Sequence, residues 1–237
     1  MSTAAVKLRP IQIENKKLDV KKNLLLAAGL IKTGKVSKGD IEKAFNSIET
    51  KLIDLESGEE ASGVDAASFD LEKADKDPKG AMSIPSDQDI ARIKTRSKVR
   101  PVYLVKSGNQ VSQIILPFHG KGLWSTMYGF LSLAPDTKTV KGIGFYQHGE
   151  TPGLGGEIDN KKWQKSWEGK VVLGRDYKPT IDVIKGAVDA SADNAISKID
   201  GLSGATLTSD GVENSVNYWM SNNGYGKFLA KFRDGGV

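Results

Sequence analysis

The chain of 237 residues has no cysteine, which excludes disulfides, thiolate catalysis, cysteine-ligated zinc and cysteine-held iron–sulfur clusters. Histidine is scarce as well. With only His119 and His148, no metal site is expected, and both read as surface or hydrogen-bonded residues at loops rather than as catalysts. Redox work in such a chain needs an organic cofactor, since side chains alone do not supply it. Long apolar runs are missing too: the longest, Leu24 to Ile31, falls far short of the ~20 residues of a membrane helix. No cleavable signal opens the chain, so a soluble piece is expected. The start from Met1 to Val6 reads either as the tail of a membrane helix or as an ordinary frayed terminus. Charge of one sign is not in great excess either, with 34 basic against 29 acidic residues and no basic block. Nucleic acid is therefore not an expected partner, although the excess of +5 suits proximity to anionic headgroups.

What is present is a patterned mixture of helix and strand. Residues 14–33 and 40–56 read as helices, the second because Ile41, Phe45, Ile48 and Leu52 recur at helical spacing. Residues 56–98 turn small and charged, with Pro78, Gly80 and Pro85, and read as irregular surface with a short helix near 87–95. Strand-like runs follow at 102–105, 111–118 and 140–146, the first two separated by the turn residues Ser107, Gly108 and Asn109. Residues 123–131 read as a buried helix or ordered turn, 159–168 and 187–197 as helices, and 171–173 and 180–184 as strands. Val212, Val216, Trp219 and Met220 form the apolar stripe of a final helix, with Asp210 and Glu213 as a cap-like start. The expected class is α+β, a twisted antiparallel sheet flanked by helices. Residues 1–100 form a helical and charged extension, and residues 101–237 the main unit.

Three segments carry chemistry. Asp200-Gly201-Leu202-Ser203-Gly204-Ala205-Thr206-Leu207-Thr208-Ser209 places glycines and hydroxyls directly before a helix. The glycines permit close approach, the hydroxyls of Ser203, Thr206, Thr208 and Ser209 donate hydrogen bonds, and the free N–H groups of a helix start favour an anion. On these grounds alone a phosphate seat and an ordinary capped helix start both remain open. Gly149-Glu150-Thr151-Pro152-Gly153-Leu154-Gly155-Gly156 predicts a type II turn at Pro152 and Gly153, with bare backbone able to approach a flat ring. Gly120-Lys121-Gly122-Leu123-Trp124-Ser125-Thr126-Met127-Tyr128-Gly129 joins two strand regions. Its Trp124 and Tyr128 also have a plain reading as core aromatics.

In their order and spacing these segments resemble the FMN-binding domain family, and the stretch from Asp200 to Thr208 resembles its flavinylation motif. The likeness runs from about Pro101 to Val237. It is nearest to the form found in C subunits of sodium-translocating NADH:quinone reductases, with the G subunits of Rnf-type complexes as the nearest confusable relatives. The resemblance implies that Thr206 is esterified to the phosphate of FMN by a separate flavin transferase that uses FAD and magnesium, and that Asp200 belongs to the motif this enzyme recognises. It places Ser203, Gly204, Ala205 and a supporting Thr208 at the cofactor. It also sets Glu150, Thr151, Gly153, Leu154 and Gly155 against the flavin, Thr151 and Leu154 facing the isoalloxazine, with Leu123, Trp124 and Ser125 nearby. It further implies an electron relay among the membrane subunits of a complex that oxidises NADH, reduces ubiquinone and pumps sodium, in the inner membrane of a bacterium with the domain facing the periplasm. Family members normally begin with one membrane-spanning helix, and this sequence has no apolar run for it. Two other classes compete: a reductase that binds FMN non-covalently and oxidises NADH itself, and a flavin-free adaptor. No GxGxxG fingerprint between a strand and a helix supports the first, and the second leaves the three-segment coincidence unexplained.

Overall fold

The computed structural model describes residues 3–77 and 80–235; Met1, Pro78 and Val237, named above, lie outside them. Five strands form one antiparallel sheet in the order β1 (Ile48–Asp54), β4 (Val99–Ser107), β5 (Gln110–Lys121), β6 (Thr126–Leu133), β7 (Val140–Gln147). The short strands β2 (Ala81–Ser83) and β3 (Thr95–Ser97) make a separate antiparallel pair. The α+β class is as expected. Helices cover both faces. Helices α1 (Thr3–Ala27) and α2 (Lys38–Phe45) close one side, where Leu24, Leu25 and Ile41 pack with Ile48, Val105, Ile115 and Phe130. The long C-terminal helix α5 (Thr206–Met220) closes the other, where Val212, Val216 and Trp219 pack with Leu104, Ile114, Leu116, Met127 and Leu131. Phe228 and Leu229 of the last helix, α6 (Gly226–Arg233), join the same core. Successive residues therefore serve opposite cores, Ile114 and Leu116 one, Ile115 the other, as the two-residue period of a strand dictates. Each fully buried aliphatic or aromatic side chain here contributes about 1.5–3 kcal/mol.

Several sequence expectations need correction. The helical spacing over 40–56 stops at Phe45; residues 48–54 are β1, an edge strand paired with β4. The extension thus supplies part of the sheet. Residues 126–133 are β6 rather than a buried helix. Apolar on both faces because helices cover both sides of the sheet, such a strand has no alternation to betray it. No helix forms over 87–95: the Asp89 carboxylate accepts the N–H groups of Ile93 and Lys94, and Arg92 and Lys94 take positive φ. The helix expected over 159–168 shortens to α4 (Lys161–Lys165), capped by the Asn160 side chain. Residues 187–197 are turns with one short 3₁₀ segment, Ala195–Ser197; Asp189 bonds Ser191 locally instead of yielding its backbone to a helix. Residues 182–184 (β8) pair in parallel with β9 (Lys198–Asp200), while 171–173 make only isolated bridges. Helix α5 begins at Thr206, so Asp210 and Glu213 lie inside it.

His119 is not at a surface loop. It sits buried within β5, stacked on Tyr128 and beside the fully buried Arg100. Burial, reinforced by the Arg100 charge, pushes its pKa down to about 3. The Arg100 guanidinium donates to both oxygens of Asp75 at 2.8 and 3.0 Å and to the Tyr225 hydroxyl at 3.2 Å, and lies over the Trp219 ring. Asp75 belongs to α3 (Leu71–Lys76), so one buried ion pair pins the charged segment to the sheet.

Candidate functional site

Three chain segments far apart in sequence meet at one carboxylate. Glu150, only 5% exposed, follows β7. Its Oε1 accepts the N–H groups of Trp124 and Ser125 at 3.0 and 2.9 Å and the Ser125 hydroxyl at 3.1 Å. Its Oε2 accepts the Leu123 N–H at 3.1 Å and the Thr208 hydroxyl at 2.7 Å. Burial alone would raise this carboxyl, but the bonds from Thr208, Ser125 and Trp124 outweigh it and hold the pKa below the usual value. Glu150 is therefore an ionised staple between the β5–β6 loop, the glycine turn and the start of α5.

Each segment is held by further bonds. The Ser125 hydroxyl accepts the Gly149 N–H at 2.7 Å, and the Glu150 N–H donates to Nδ1 of His148, whose Nε2 lies 2.8 Å from Asp159. The predicted type II turn is present: the Thr151 carbonyl accepts the Leu154 N–H, and Gly153 has φ +75°. Gly155 is buried because the space a Cβ would take is filled; that atom would stand 2.5 Å from Thr208 Oγ1. A Cβ on Gly204 would lie 3.1 Å from Leu154 Cδ2, so the glycine turn and the helix-start segment touch. The Asp200 carboxylate is exposed and accepts the Val188 N–H, while its carbonyl accepts the indole N–H of Trp163 at 2.8 Å.

The hydroxyls are sharply sorted. Thr208 is buried with its hydroxyl committed to Glu150, and Ser209 is buried with its hydroxyl accepting the Leu202 N–H at 3.0 Å. Ser203 and Thr206 are exposed, Thr206 in the first turn of α5. Ala205, the N-cap residue, gives no side-chain bond to the helix start, so the first N–H groups of α5 look for an acceptor from outside, and the helix dipole favours a negative one. Large apolar side chains stand in solvent on all three segments: Trp124 at 67%, Leu207 at 60%, Leu154 at 44% and Leu123 at 42%. The core reading of Trp124 is overturned by that exposure. Thr151 and Gly153 are exposed as well, whereas Glu150, Gly155 and Thr208 face inward and shape the site from beneath.

Sequence reasoning missed the residues that hold α5 in place. The Glu213 carboxylate accepts the Val183 N–H at 2.8 Å, and Asn217 both accepts the Ile181 N–H and donates to the Ile181 carbonyl. Glu213 and Asn217 are one helical turn apart, a spacing that puts them on one face; that was the available signal. Burial raises the Glu213 carboxyl.

The antiparallel sheet, the glycine turn and the helix start joined by Glu150 define an FMN-binding domain, and the model of the FMN-binding domain family matches residues 122–221. The chain belongs to the family of C subunits of the Na(+)-translocating NADH-quinone reductase. It is 46% identical over 233 residues to the family member from Pseudomonas aeruginosa, covering 98% of this chain and 89% of the relative. It is 44% identical over 237 residues to the counterpart from Vibrio anguillarum, covering 100% of this chain and 90% of the relative. The fold is similar to the crystal structure of NqrC from Shewanella oneidensis, with a TM-score of 0.84 and 31% identity across 93% of this chain and 99% of that one. Each of these relatives is one component of a larger reductase. Among the described residues of this chain, no helix is long and apolar enough to cross a membrane.

Proposed function

We propose that the chain carries FMN as a phosphoester on the Thr206 hydroxyl and serves as an electron relay in a sodium-translocating NADH:quinone reductase. One observation carries this reading: of the two threonines in the motif only Thr206 is exposed, while Thr208 is buried with its hydroxyl bonded to Glu150. The residues present fit the group. The uncapped start of α5 offers N–H donors to a phosphate, Ser203 adds an exposed hydroxyl beside it, and the chain at Gly204 and Ala205 bears no large side chain to obstruct it. Leu123, Trp124, Leu154 and Leu207 offer apolar surface for a planar ring, and Thr151 stands exposed at the same turn. When bound, FMN supplies the one- and two-electron chemistry that no side chain here provides.

The protein's part is to position. Glu150 fixes the loop that bears Trp124 against the helix that bears Thr206, so the ring-facing and phosphate-facing residues keep one geometry. A covalent link keeps occupancy independent of free cofactor and allows a shallow seat open to neighbouring subunits. Asp200, exposed at the end of β9, is available to the flavin transferase that performs the attachment. The other membrane subunits are the electron partners, NADH oxidation and ubiquinone reduction belong to the complex as a whole, and the domain faces the periplasm from a bacterial inner membrane. By itself the chain is a carrier without turnover.

The test is co-expression with a flavin transferase, followed by denaturation, intact mass and in-gel fluorescence. Wild type and Thr208→Val carry the added mass of the cofactor; Thr206→Val does not. Covalent flavin persisting in Thr206→Val would refute the acceptor.

A further inference from the structure

Helix α5 carries Thr206 in its first turn and Tyr218 near its far end, about 18 Å along the axis at ~1.5 Å per residue. At that far end lies a cavity of about 140 Å³ bordered by Glu56, Ser83, Gln88, Arg96, Tyr218 and Asn223. It is well apart from the flavin motifs, and nothing in the relay role uses it.

Two of its polar walls are deeply buried, Arg96 at 5% and Tyr218 at 1% exposed. The Arg96 guanidinium donates to the Ser97 carbonyl at 3.3 Å and to Glu56 Oε1 at 2.6 Å. The Glu56 side chain is 47% exposed, so the acceptor half of this pair is a solvated group able to turn outward. The Tyr218 hydroxyl is the opposite case: among the described residues it has no hydrogen-bond partner. Buried polar atoms of native proteins are bonded in the great majority. Burial pushes the Tyr218 phenol up, and the neighbouring Arg96 guanidinium draws it back by its charge and by a contact too loose to satisfy the hydroxyl, which places both groups on the same space.

We propose that this cavity binds a small monocarboxylate between the Arg96 guanidinium and the Tyr218 hydroxyl, in exchange for the side chain of Glu56. An incoming carboxylate takes over the bond that Arg96 gives to Glu56 and also accepts from Tyr218, a donor that Glu56 does not engage. One negative charge replaces another, so the buried guanidinium is never left without a counter-charge. At ~30 Å³ per water-sized group the volume admits roughly four or five non-hydrogen atoms, the size of acetate. A dianion is disfavoured, since Arg96 is the guanidinium on the cavity wall and the more distant Arg100 is already paired with Asp75, while Glu56 and Asp89 add negative potential.

The experiment titrates the full chain, labelled with nitrogen-15, with sodium acetate, and separately with sodium chloride at equal ionic strength, following the Arg96 Nε–H resonance. Acetate is expected to give a saturating shift and chloride none. Tyr218→Phe weakens acetate binding about tenfold, the loss of one hydrogen bond to a charged acceptor, and Glu56→Gln tightens it by a similar factor because the internal competitor is gone. A non-saturating response shared by both salts means that only water fills the cavity and overturns the proposal. Unchanged affinity in Tyr218→Phe also overturns it. Should Tyr218→Phe fail to fold, the surface variant Glu56→Gln decides alone: affinity that stays the same or falls refutes the exchange.

Discussion

Removing the Glu150 carboxylate should unfasten the candidate site and much of the stability around it. In Glu150→Ala the N–H groups of Leu123, Trp124 and Ser125 and the hydroxyls of Ser125 and Thr208 lose their acceptor. Partly exposed loop donors recover water, but the Thr208 hydroxyl is buried, and a buried unsatisfied donor costs about 1–3 kcal/mol. With the lost charge-assisted bonds of the loop, the expected destabilisation is about 4 kcal/mol, or a fall in Tm of about 8–16 °C for a chain of this size. Glu150→Gln separates charge from shape. Its carbonyl keeps the three bonds made to Oε1, and Thr208 can reverse its hydroxyl to accept from the amide, so only the Leu123 N–H is stranded and the loss is about 1–2 kcal/mol. The assay is urea unfolding of wild type, Glu150→Gln and Glu150→Ala across pH. Because the folded pKa of Glu150 is depressed below its ordinary 4.5, its contribution is complete above about pH 4.5 and is lost as pH falls through the lower folded value. The gap between wild type and Glu150→Gln should therefore close in acid. A loss below about 1 kcal/mol in Glu150→Ala, or a gap that persists unchanged in acid, would refute the staple; the kcal/mol scale is that of unmet buried donors.

Other outcomes follow from the same geometry. Gly155→Ala drives a Cβ to 2.5 Å from Thr208 Oγ1 and should cost about 1–3 kcal/mol in thermal unfolding, with weakened protection of the Leu123–Ser125 amides in hydrogen exchange. Asp75→Ala leaves Arg100 buried without its counter-charge and should destabilise by about 3–5 kcal/mol, measured by urea unfolding. His119, with a folded pKa of about 3 against an ordinary 6.5, stays neutral in the native protein, so its ring resonances should not titrate between pH 5 and 8. Its depressed pKa gives stability that is full above pH 6.5 and declines as pH falls toward 3. His119→Gln should flatten the pH dependence of stability in that window.

The motifs were legible because their information is local. A type II turn needs only Pro152 and Gly153 in succession, and the hydroxyl-rich segment before α5 announces a helix start wherever it occurs. Elements whose identity depends on distant partners were misread. Ile48 and Leu52 fit a helical stripe as well as a strand, and β4 alongside them settles the matter. Trp124 reads as a core residue until the Glu150 bonds hold its loop at the surface. His119 reads as a loop residue until β5 extends to Lys121 and carries it under α5.

By itself the amino-acid sequence determined the chemistry at hand: no thiol, two imidazoles, and a run of glycines and hydroxyls ordered as in one flavin-binding family. Which hydroxyl faces solvent was a decision of the tertiary structure alone. Thr206 and Thr208 are chemically alike and two residues apart, and the helix turns them to different sides, so that one meets a buried carboxylate 58 residues away while the other stands exposed. Side-chain identity is written in the chain; exposure and partnership arise only when segments remote in sequence pack together.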